Sequence, residues 1–169
     1  MVSELKIKEY SNLFIQITRG YSKGKPSNAK PVFLLTLIDS VAYSLFTDNQ
    51  FFYNDKLKQL YERNYKREAP EEILSDFCNP FYHLETDGFW HIKWKISPKP
   101  DKTSDCKLRK YVDYAYLDNA LWDLLQDEQC RNALRQSIIN FFFQEINQAL
   151  WQPNTVTLSP YGNRKPPII

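Results

Sequence analysis

Residues 31 to 46, PVFLLTLIDSVAYSLF, are apolar nearly all the way round the helix they would form. A helix with so little polar face must be covered on every side, so the segment demands a fold built around it. Pro31 opens it well, because a first-turn proline loses only an N–H that has no intrahelical partner. The segment is too short, and too interrupted by Asp39, to span a bilayer. A second apolar-rich segment opens behind Asp127 and repeats Ala133, Leu134, Ile138, Phe141, Phe142 and Ile146 at steps of three and four. The helices predicted over 31 to 46 and 128 to 149 form the centre of the expected architecture.

The remaining elements follow from periodicity and punctuation. Leu5, Tyr10, Leu13, Phe14 and Ile17 predict a helix over 4 to 18, stopped by Gly20. YSKGKPSNAK then reads as an irregular, solvated loop. Asn54 or Asp55 caps a helix over about 56 to 66, with Leu57, Leu60, Tyr61 and Tyr65 on one side. Pro70 starts a short helix, EEILSDF. In CNPFYHLETDGFWHIKW (78 to 94), Asp87-Gly88 supplies turn residues, and Phe89, Trp90, Ile92 and Trp94 are strand formers. A β-hairpin is predicted over 81 to 96 with Pro80 at its mouth, where a sheet tolerates proline. Asp118 and Asp127 read as N-caps of two further helices. The expectation is a mainly α, compact helical domain over 1–151 with a small antiparallel β-hairpin. An irregular, proline-rich arm or linker is expected over 152–169.

At 169 residues the chain can bury roughly two-thirds of its unfolded surface, so neither a metal nor a disulfide is required for a core. Cys78, Cys106 and Cys130 are odd in number and widely spaced, which makes reduced thiols the expectation. The N-terminus, MVSELKIKEY, lacks the pattern of a signal peptide, and a cytoplasmic location is expected. Net charge is only +2, but its distribution is uneven. RGYSKGKPSNAK (19 to 30) holds four cations and no anion, and residues 93 to 110 hold seven cations against Asp101 and Asp105. Two readings stand: solvated loops, or one basic face that forms an electrostatic footprint for phosphate.

Catalytic patterns are scarce. There is no HExxH, GxSxG, Walker loop or EF-hand sequence. His83 and His91 lie eight apart and no carboxylate has ligand spacing to them. A binding module is expected rather than an enzyme, without cofactor or metal.

Three blocks in order carry a resemblance: KPVFLLTLIDSV (30 to 41), NPFYHLETDGFWHIK (79 to 93) and YAYLDNALWDLLQDEQCRNALRQSIINFFF (114 to 143). The chain resembles the sulfur-binding domain found upstream of the HNH nuclease in McrA-like, phosphorothioate-dependent restriction endonucleases. The resemblance implies recognition of double-stranded DNA in which sulfur replaces a non-bridging phosphate oxygen, with a nuclease carried elsewhere. It makes Pro80 the pocket proline, in the stretch Asn79, Pro80, Phe81, Tyr82 and His83. Asn79 stands where the family commonly has tyrosine, and His83 where a small residue is common. Lys30, with Asn28 and Ser27, falls on the cationic side of the pocket. Arg19, Lys23, Lys25 and Lys30 would neutralise neighbouring phosphates, and Asn28, Asn79, Tyr82 or His83 would reach base edges. A sulfur-independent DNA-binding or protein-interaction module on the same scaffold is the alternative.

The residue types suit that task. Sulfur is softer and less strongly hydrated than oxygen, so apolar atoms displace its water at little cost. The same atoms around a phosphate oxygen would strip an acceptor of its partners, at roughly 1–3 kcal/mol. A proline ring is rigid, apolar and has no N–H to offer.

Overall fold

The computed structural model describes residues 2–143. Over these the molecule is mainly α-helical with two small antiparallel two-stranded sheets, the expected class. The arm predicted from residue 152, and the end of the second apolar segment, lie outside the described residues.

Helix α1 (Val2–Ile15) leads into a two-stranded ribbon, β1 (Tyr21–Ser22) and β2 (Lys25–Pro26), and then into α2 (Ala29–Ala42). The apolar content of α2 is matched by its burial, since every residue from Ala29 to Val41 is covered. Phe33 is the hub, with ring centroids of Trp90, Phe81, Phe77 and Tyr61 at 5.4, 5.9, 6.0 and 6.3 Å. The helix ends at Ala42, four residues before the apolar run does. Ser44 adopts φ 58°, Ser44 N–H donates to the Val41 carbonyl and Leu45 N–H to that of Ser40. This is a Schellman closure with serine in the place usually taken by glycine. Leu45 and Phe46 then pack on the core instead of prolonging the helix.

Asp39, the polar interruption of α2, ties three helices together. Its carboxylate accepts from Arg135 Nε at 2.9 Å and from Asn64 Nδ2 at 3.1 Å. Asn64 lies in α3 (Asp55–Glu68), whose expected cap is present: the Asn54 side chain accepts from Leu57 N–H at 3.0 Å. Arg135 lies in α7 (Glu128–Ile138), capped by the Asp127 carboxylate accepting from Cys130 N–H at 2.9 Å. The chain then widens into a π turn over Ile139–Phe143.

Two predicted elements differ. No helix forms over 71 to 77; α4 begins at Cys78 and runs to His83, followed by a 3₁₀ turn over Leu84–Asp87. The predicted hairpin over 81 to 96 is also absent. Cys78, Phe81 and Tyr82 bury themselves at helical spacing, not by alternation. The return strand is real, but β3 (Trp90–Trp94) pairs with β4 (Val112–Leu117), in register Trp90↔Leu117, His91↔Tyr116 and Lys93↔Tyr114. Between them runs α5 (Asp105–Tyr111), capped by the Ser104 hydroxyl accepting from Lys107 N–H. Helix α6 (Asn119–Leu124) follows β4. Asp118 holds the position before α6 but does not cap it: its carboxylate accepts from Tyr10 O–H at 3.1 Å and meets His91 Nε2 at 2.7 Å. Burial, then the neighbouring Asp118, pushes the Tyr10 hydroxyl up to about 12.

Candidate nucleic-acid interface

The cationic loop between α1 and α2 is not irregular. Lys23 and Gly24 carry φ of 53° and 79° between the paired residues Ser22 and Lys25. Two consecutive positive φ values make the tight turn that matches strand twist, and glycine supplies one of them without steric cost. The turn lifts Tyr21, Ser22, Lys23 and Lys25 into solvent; Tyr21 is 74% exposed. Arg19 braces the ribbon from below. Its Nε donates to the Ser27 carbonyl at 2.9 Å, an Nη donates to Asn28 Oδ1 at 2.8 Å, and its guanidinium lies 4.9 Å from the Phe142 ring centre. Burial lowers its pKa, partly offset by Glu72. Asn28 passes the connection on by donating to the Glu72 carboxylate, and Ser27 Oγ accepts from Ala29 N–H at 3.1 Å.

Helix α4 packs on α2, the helix that follows the ribbon. Pro80 is its third residue, where the missing N–H costs nothing because first-turn N–H groups have no intrahelical acceptor. The proline therefore marks a helix start, not the mouth of a hairpin, and its ring is buried. Phe81 is 0% exposed among Phe33, Phe77, Tyr53 and Trp90, and its carbonyl accepts from Trp90 Nε1 at 2.8 Å. It is a core residue and not the DNA contact expected of it. Asn79 and His83, four apart on one stripe of α4, are half-buried and exposed.

A third segment, residues 95 to 104, is fastened to α4 by Tyr82. The Tyr82 hydroxyl donates to the Pro100 carbonyl, and its ring packs on Trp94 at 5.8 Å. Lys99 lies over that ring, 5.2 Å from the centroid, and pairs with Glu85 at 3.2 Å. Lys95, Lys99 and Lys102 are exposed along this segment. Asp87 supplies a further tie: its carboxylate accepts from Lys30 Nζ at 2.7 Å and from Thr18 N–H at 2.8 Å. That joins the foot of the ribbon, the start of α2 and the end of the 3₁₀ turn.

The expected site residues thus divide in two. Lys23, Lys25 and His83 face solvent, and Arg19, Ser27 and Asn79 do so in part. Asn28, Lys30, Pro80, Phe81 and Tyr82 are buried. Lys30 is committed to Asp87, with the two side chains 10% and 6% exposed, so its charge is already satisfied within the protein. Sequence reasoning did not single out Lys99 as a neighbour of α4, although the cation run from 93 to 110 marked its segment. Tyr21, at the ribbon, carried no prior signal beyond its place in a basic loop. No described helix is long and apolar enough to cross a membrane.

No protein-family model matches the chain, and no curated protein does. Among solved structures it is similar to the sulfur-binding domain and SRA domain of ScoMcrA complexed with phosphorothioated DNA. The two are 13% identical, and the match covers 83% of this chain and 44% of that chain with a TM-score of 0.62. At that identity the likeness establishes a shared fold. The chain spans less than half of the length of that one.

Proposed function

We propose that this chain is a duplex-DNA-binding module that favours phosphorothioate-marked backbone and directs a nuclease carried elsewhere. The observation that carries the reading is the meeting of the start of α2, α4 and the segment 95 to 104 beside the exposed His83, whose ring packs on Tyr82 while Lys99 lies over that same ring. Lys99 is exposed at that meeting, and Lys23 and Lys25 are exposed at the ribbon turn, each able to neutralise a phosphate. A two-stranded ribbon with an exposed tyrosine and lysines at its turn is also of a size that a major groove admits. The Tyr82 ring packs edge-on against His83, centroid to centroid 4.9 Å, so an apolar surface adjoins the exposed imidazole. The fold shared with a protein solved on phosphorothioated DNA supports the same ligand.

A second reading, DNA binding without sulfur selection, is favoured by one observation: Pro80 is buried, so its ring offers no open apolar slot to a sulfur atom. Matched duplexes with and without one phosphorothioate, each titrated at two salt concentrations, separate the two. Preference for the sulfur duplex supports the first reading. Equal, salt-sensitive binding supports the second, and absence of binding to either duplex removes both.

A further inference from the structure

The two histidines sit in opposite electrostatic surroundings. His91 Nε2 is 2.7 Å from the Asp118 carboxylate and stacks on Tyr116 at 5.1 Å. His83, the last residue of α4, has no carboxylate acting on its imidazole among the described residues; the charges that reach it are those of Lys30 and Lys99. The nearby carboxylates are spent elsewhere. Asp87 holds Lys30 and the Thr18 N–H, while Glu85 holds Lys99 and accepts from Ile92 N–H at 2.9 Å. The ring is fixed against Tyr82, centroid to centroid 4.9 Å, and Tyr82 in turn carries Lys99 at 5.2 Å. Desolvation, then Lys30 and Lys99, hold the His83 pKa below the usual imidazole value. In the free protein these surroundings disfavour the imidazolium, and His83 and Lys99 share the Tyr82 ring.

An arriving phosphate-type anion reverses that field. It offsets the field of the exposed Lys99 and offers the imidazole an acceptor, which favours the protonated form. We propose that His83 couples binding of a DNA backbone linkage, phosphate or phosphorothioate, to the uptake of one proton at its imidazole. The inference rests on the DNA-binding reading above and adds its regulation. The exposed lysines hold the backbone across the whole pH range, and His83 adds a cation once the ligand is seated. Affinity then rises as pH falls, by at most about tenfold per pH unit for a single linked proton.

The test titrates the full chain with fluorescent sulfur and normal duplexes from pH 5.5 to 8. Calorimetry in two buffers of different ionisation heat counts the protons directly. The expected result is tighter binding at low pH with uptake approaching one proton. His83→Gln should bind with a flat pH profile, and His91→Gln should keep the wild-type profile. Circular dichroism checks that both variants fold. Binding that is independent of pH in the wild type, or a pH dependence that survives His83→Gln, overturns the inference while leaving the DNA-binding reading intact. Failure to bind either duplex at every pH overturns the DNA-binding reading and the inference with it.

Discussion

Lys30 was expected to meet phosphate, yet the structure gives it an internal partner, and the two roles differ by a measurable amount. Its Nζ lies 2.7 Å from Asp87 Oδ2, and the side chains are 10% and 6% exposed. At an effective dielectric of about 20 such a pair attracts by about 6 kcal/mol before desolvation is subtracted. The pair as a whole is worth far less, but breaking it from one side strands a buried charge at about 3–5 kcal/mol. Lys30→Met leaves the Asp87 carboxylate with only the Thr18 N–H. Asp87→Asn keeps an acceptor for that N–H but leaves the ammonium facing a neutral amide. The double variant strands neither charge, so it should be more stable than either single. With a urea slope of about 2 kcal/mol/M, each single should lower the midpoint by about 1.5–2.5 M. Those losses are large beside a total stability of about 5–15 kcal/mol. Urea unfolding of the four proteins, followed by tryptophan fluorescence, completes the cycle. Singles within about 0.5 kcal/mol of wild type, with additive effects in the double, would show a solvated pair and return Lys30 to the DNA-contact surface.

Lys23→Ala with Lys25→Ala should weaken sulfur and normal duplexes alike, and should reduce the slope of log affinity against log salt by about two; binding isotherms at four salt concentrations measure it. Pro80→Asp should destabilise the fold by several kcal/mol, because it buries an unpaired carboxylate in α4. Pro80→Ala should cost about 1–2 kcal/mol and abolish any sulfur preference if the ring meets the sulfur; thermal melts and paired titrations read both. His83→Gln should remove an acid-side loss of stability: with the folded pKa below an unfolded value near 6.5, the unfolded chain binds more protons, so the wild type loses stability as pH falls through the folded pKa. Melting temperatures at pH 7.5 and 5.0 test that sign.

What the sequence disclosed was local. The burial of α2, the Asn54 and Asp127 caps and the mainly helical class all rest on spacing within a few residues, and all are present. The local structure around the candidate site was missed where the deciding contact is distant. β3 finds its partner in β4 rather than across Asp87-Gly88, because 78 to 83 satisfies a helical period that the turn signal obscured. Pro80 is compatible with a first helical turn and with a sheet edge, and only the burial of Phe77, Phe81 and Leu84 selects the first. Lys30 and Asp87 are 57 residues apart, and a charge count cannot say which cation has already found its anion. Asp118 shows the same ambiguity: it has the residue type and place of a cap, yet Tyr10 and His91 claim its carboxylate.

That division between spent and available charge reshapes the interface. Of the four cations in the 19 to 30 loop, Arg19 and Lys30 hold the loop in place, and Lys23 and Lys25 stand exposed at the turn, where the proposed reading puts the phosphate contacts. Rigidity and contact are thus carried by different residues of one short segment. A phosphate contact on a flexible loop loses part of its affinity to ordering the loop. A ribbon pinned at its foot by Arg19, and at Thr18 by Asp87, has met that cost during folding. It follows that changes at Arg19 or Asp87, neither of which need touch DNA, should weaken binding through the ribbon's order, whereas changes at Lys23 and Lys25 should weaken it through charge and leave the melting temperature in place.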